Sequence, residues 1–98
     1  MVIPTVTTLD ATNVDEEEAE LNMDYDFKDY ISGNVRFAYK NQSAGSWTNT
    51  SWEAKSGSDS YDKTVTGLVE DTNYLFKAQL QYDSTIINGE VKSFKTLD

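Results

Sequence analysis

Ala19, Leu21, Met23, Tyr25 and Phe27 alternate without a break with Glu20, Asn22, Asp24 and Asp26. Successive side chains of a β-strand point to opposite faces, so this stretch predicts a strand with one dry face and one wet face. The same period of two returns in Val35, Phe37 and Tyr39 against Arg36, Ala38 and Lys40. It returns again in Phe76, Ala78, Leu80 and Tyr82 against Leu75, Lys77, Gln79 and Gln81. No window repeats apolar residues at helical spacing for more than a turn, so the chain is all-β.

The remaining strands are bounded by turn chemistry. Residues 4–14 form a first strand, with Pro4 where an edge tolerates a missing donor. The acidic run Asp15, Glu16, Glu17, Glu18 separates it from the second. Residues 28–34 and 41–45 are polar loops. Residues 47–54, rich in Trp and Thr, predict an edge strand crossing to the other sheet, and residues 55–60 a Gly/Ser loop. Residues 61–66 follow as a strand with Val65 in the core. A chain of 98 residues has room for one domain, burying roughly 60–70% of its unfolded surface. The expected architecture is a seven-stranded antiparallel Greek-key β-sandwich.

Between Gly67 and Tyr74 one strand ends, a corner turns, and the longest strand begins at a tyrosine. In Greek-key sandwiches a tyrosine so placed sends its hydroxyl back to the backbone upstream while its ring joins the core. Leu68 and Tyr74 are the expected structural corner. With Leu68, Thr72 and Tyr74, this segment resembles the corner of a fibronectin type III domain, Glu70 or Asp71 standing where that family often has Pro. Residues 35–39 resemble the family's third strand and residues 89–96 its closing strand, so the likeness runs from about Pro4 to Thr96. It departs where Met23 stands in place of the usual core Trp. Domains of prokaryotic surface proteins share that departure and resemble the segment Ala11, Thr12, Asn13, Val14. The immunoglobulin alternative lacks its two sheet-bridging cysteines.

The resemblance implies an extracellular or cell-surface location and a monomeric domain within residues 1–98, cut from a longer chain. Its implied partners are neighbouring domains of that chain or another surface protein. Thr96, Leu97 and Asp98 echo Thr8, Leu9 and Asp10, as tandem units do.

Cysteine and histidine are absent, which removes thiol nucleophiles, the usual zinc ligands and the commonest general base. Catalytic residues, cofactors and metal ligands are all expected to be none. The net charge of −9 argues against nucleic acid, and no apolar run spans a membrane. Asp24, Asp26 and Asp29, near the run at Glu16, are the nearest approach to a calcium set. They lack the EF-hand glycine and closing glutamate and are read as a solvated strand face. Asn41 and Asn49 begin glycosylation triplets. Trp47, Trp52, Tyr61 and Tyr30 are candidates for a sugar-stacking platform.

The function expected is a non-catalytic extracellular spacer or protein-interaction module, with a carbohydrate-binding accessory domain of a secreted hydrolase as the alternative.

Two registers compete for the last hairpin. Asn88-Gly89 alone favours a tight turn there, but that pairing leaves Tyr74 and Phe76 without a partner strand. A turn around Asp83, Ser84 and Thr85 instead covers the whole strand and sets Phe94 beside Tyr74, with Gly89 in a bulge. That register places Tyr30, Ile31, Thr85 and Ile86 at one loop tip, the candidate partner contact.

Overall fold

The computed structural model describes residues 2–98. In chain order the strands are β1 (Thr5–Thr12), β2 (Ala19–Asp26), β3 (Ser32–Asn41), β4 (Thr48–Asn49), β5 (Glu53–Ser56), β6 (Ser58–Val65), β7 (Asn73–Tyr82), β8 (Thr85–Asn88) and β9 (Lys92–Lys95). β1, β2 and β6 make one antiparallel sheet. The other is centred on β3 and β7, with β4 and β5 along the outer edge of β3 and β8 and β9 along the outer edge of β7. The two sheets form a fibronectin type III-like β-sandwich. No helix among the described residues is long and apolar enough to cross a membrane.

Alternation makes the core. Leu21 and Met23 from the first sheet, Phe27 just beyond the end of β2, and Val35, Phe37, Phe76 and Leu80 from the second sheet are fully buried. Each such side chain contributes about 1.5–3 kcal/mol of transfer free energy. Met23 is fully buried in this core, and Tyr61 stacks on Phe37 at 5.8 Å between ring centroids.

The corner forms as its sequence implies. The Val69 N–H donates to the Tyr74 hydroxyl at 2.8 Å, and Leu68 is buried beneath. Thr96 locks the turn from the far end of the chain. Its hydroxyl donates to the Val69 carbonyl at 2.6 Å and accepts the Thr72 N–H at 3.0 Å.

The last hairpin adopts the longer register. Tyr82 faces Thr85 across Asp83 and Ser84, and Tyr74 faces Phe94. Asp83 takes a left-handed φ of 51°, which Asp tolerates. Between β8 and β9 the register slips, and the Gly89 N–H donates to the Ala78 carbonyl at 2.8 Å. That bulge leaves the Ala78 N–H without a strand partner. The buried hydroxyl of Thr8, reaching across from β1, accepts it at 3.1 Å.

Four expectations need correction. The last strand is split by this bulge and the Trp-rich edge is split at Thr50, so nine strands stand where seven were expected. At Thr50 the side-chain hydroxyl, rather than a backbone carbonyl, accepts the Phe37 N–H, which interrupts the ladder. Residues 47–54 do not cross sheets, since β4 and β5 both pair with β3. The crossing occurs at Gly57, whose φ of 71° turns the chain into β6, so the expected loop at 55–60 is mostly strand. Finally, Ser32, Gly33 and Asn34 belong to β3 rather than to a loop. Gly33 is required there by close approach: a Cβ would meet the Gln81 carbonyl and lie 2.6 Å from the Phe27 ring.

Candidate interaction surfaces

The molecule measures 46 × 25 × 19 Å. The strand order carries the N-terminal residues to one pole of the sandwich and the C-terminal residues to the other. At the N-terminal pole, Tyr30 packs on Tyr82 with ring centroids 4.6 Å apart, and Tyr82 faces Thr85. The four residues of the candidate contact therefore share this pole. Ile31 is 90% exposed and Ile86 43%, whereas Tyr30 is half-buried and spends its ring on packing. Val2 and Ile3 add exposed apolar surface beside them, and the Val2 N–H donates to the Asp29 carboxylate.

At the opposite pole Val69 and Leu97 are exposed. Leu97 is tied down from both sides: its carbonyl accepts the Asp71 N–H at 2.9 Å and its N–H donates to the Asp15 carbonyl at 3.2 Å. An open hollow of about 410 Å³ lies nearby, lined by Asp15, Glu16, Glu17, Glu18, Thr66 and Gly67.

The two outer faces differ in charge. On the first sheet, Glu20, Asn22, Asp24 and Asp26 of β2 point away from the core, with Asp62 opposite Asn22. The Lys28 backbone N–H, and then its ammonium at 3.2 Å, hold the Asp26 carboxyl below its ordinary pKa. Asp26 and Asp29 thus already have protein partners, and among the described residues no group of three carboxylates is placed to hold a metal ion.

On the second sheet, Arg36, Ala38 and Lys40 of β3 point outward, and Lys77 lies directly opposite Ala38. The Arg36 guanidinium carbon sits 4.0 Å above the Trp52 ring, while the Lys77 and Lys40 ammonium groups lie 4.6 and 5.0 Å from the Trp47 ring. Such contacts contribute about 0.5–1 kcal/mol each at exposed sites. Partial burial pulls the Arg36 pKa down from its ordinary value, which still leaves it a cation.

The four-ring platform does not assemble. Tyr61 faces the core, Tyr30 lies at the N-terminal pole, and only Trp47 and Trp52 share an outer face. Both are half-buried, with cations over their rings. Reading by residue type missed that each Trp has basic residues beside it. The signal was available in the outward positions of Arg36, Lys40 and Lys77. Asn41 ends β3, its carboxamide oxygen accepting the Ser43 N–H at 2.9 Å, and Asn49 lies exposed in β4.

No family model matches the sequence, and no curated protein matches it significantly. Solved structures do match in fold. A short form of the sensor domain of the anti-sigma factor RsgI4 from Pseudobacteroides cellulosolvens superposes with a TM-score of 0.80 at 18% identity, over 99% of this chain and 97% of that one. The fibronectin type III domain of the human KIAA0970 protein gives 0.69 at 14% identity, over 94% of this chain and 72% of that one. A structure described as a myokine gives 0.65 at 14% identity over 94% of this chain and 97% of that one. At these identities the likeness concerns the fold: this chain has a fibronectin type III-like sandwich fold that is also similar to a bacterial sensor domain.

Proposed function

We propose that this domain is a non-catalytic module of a larger surface or secreted protein, one that spaces and contacts its neighbours through its two poles. The observation that carries this reading is the placement of exposed apolar residues: Val2, Ile3, Ile31 and Ile86 lie at one pole and Val69 and Leu97 at the other, with Val91, between β8 and β9, the one large exposed apolar residue among the described residues that lies away from both. In a domain with a net charge of −9, large apolar side chains left at the ends of the long axis are suited to abut further domains. The likeness to a sensor domain supports a contact role, and the fibronectin type III resemblance supports a location at the cell exterior. Inter-domain contacts of this kind bury little area and remain polar at their rims.

Amide spectra of the domain alone and within its parent chain test the proposal. Shifts confined to residues 2–3, 29–31, 83–86, 69–71 and 97 are expected. Identical spectra at both poles, or a parent chain with no adjoining domain, would overturn it.

A further inference from the structure

We propose that the outer face of β3 and β7 is a docking surface for a short, extended, acidic polypeptide segment, gripped by Arg36, Lys77 and Lys40 beside Trp52 and Trp47. This goes beyond the polar contacts proposed above, because the face runs along the flank of the domain and stands or falls independently of them.

Charge is the first reason. Among the described residues Lys28, Lys92 and Lys95 each form an ion pair with a carboxylate, whereas Arg36, Lys40, Lys55, Lys63 and Lys77 form none; Lys55 and Lys63 lie apart on β5 and β6, and the other three share the outer face of β3 and β7. In a chain with seventeen acidic residues and eight basic ones, three cations collected on one face without a carboxylate partner leave that face complementary to an anion. Arg36 and Lys40 are also held in place by hydrogen bonds. The Arg36 Nε donates to the Gln79 side-chain oxygen at 2.7 Å, and the Gln79 amide donates to the Asn88 side chain at 2.8 Å. That chain fixes the guanidinium over Trp52 and leaves its two terminal nitrogens without a hydrogen bond among the described residues, the fork that suits a carboxylate. Lys40 donates to the Ala44 carbonyl at 3.3 Å, and Lys77 makes no hydrogen bond among the described residues.

Spacing is the second reason. Arg36, the Ala38–Lys77 pair and Lys40 lie on alternate rungs of the β3–β7 ladder. Rungs two residues apart are separated by roughly 6.6–6.8 Å, which is also the spacing of alternate side chains along an extended peptide. An acidic residue at every second position meets one cation per step.

The alternatives fit less well. A neutral sugar gains least where a charged group already lies over the ring, and a cation stands over one face of each Trp ring. A long polyanion would run off the strip onto a domain whose net charge is −9, so a short anionic stretch is favoured.

The test is an amide-shift and Trp-fluorescence titration of the domain with a short peptide alternating glutamate and threonine, beside its glutamine counterpart and an oligogalacturonate. Saturable shifts confined to residues 36–40, 47–52 and 77–79 are expected with the glutamate peptide, weakening as salt is raised. Arg36→Gln combined with Lys77→Gln should weaken binding at least about tenfold while amide shifts elsewhere confirm an intact fold. No shift on this face at about 1 mM peptide, or equal binding of the glutamine peptide, would overturn the proposal. Tighter binding of the oligogalacturonate would also overturn it and reassign the face to an acidic glycan.

Discussion

Tyr74 does two jobs at once: its ring stacks on Phe94 at 5.5 Å between centroids while its hydroxyl accepts the Val69 N–H. Removing the oxygen leaves the packing and deletes one hydrogen bond. Val69 is exposed, so water can reach part of the freed donor, and the expected cost of Tyr74→Phe is about 1–2 kcal/mol. Urea denaturation should show a lower midpoint with an unchanged slope. An unchanged midpoint would remove the corner from the account of stability.

At the scale of elements, the Gly89 bulge and Thr8 form one device. The bulge uses the Ala78 carbonyl but turns the following chain away from the Ala78 N–H, and Thr8 supplies the missing acceptor from the opposite sheet. Thr8→Val keeps the shape and removes the acceptor, leaving a buried donor unpaired at a cost of about 1–3 kcal/mol. Hydrogen exchange should accelerate at the Ala78 amide, and Thr8→Ser should largely restore protection; equal protection in all three forms would contradict the assignment. This device marks where sequence reading stops. The strands β2, β3 and β7 and the corner were legible because alternation at period two survives any context. The register of the last hairpin was legible because only one pairing covers Phe76 and Tyr74. Thr8 read as an ordinary strand threonine, because nothing local distinguishes a hydroxyl that faces an orphan N–H from one that faces water. The edge at residues 47–54 failed similarly, since the Thr50 hydroxyl competes with the backbone for the Phe37 N–H only once β3 lies beside it. Of the candidate surface, the loop tip at Tyr30, Ile31, Thr85 and Ile86 followed from register. The outer face of β3 was legible in part: alternation sets Arg36, Lys40 and Lys77 outward, but which Trp each cation meets follows only from the pairing of β4 and β5 with β3.

The whole molecule is a rod with charge separated across its thickness: carboxylates on the outer face of β2, three cations on the outer face of β3 and β7, and apolar residues at the ends. If neighbours abut the poles, the domain adds length to its parent chain, whereas contact through a flank would add width. Small-angle scattering of the parent segment with and without this domain separates the two. The account predicts that the maximum dimension grows by close to the full 46 Å long axis. Growth nearer the 25 Å width would place the neighbours on the flank and contradict it.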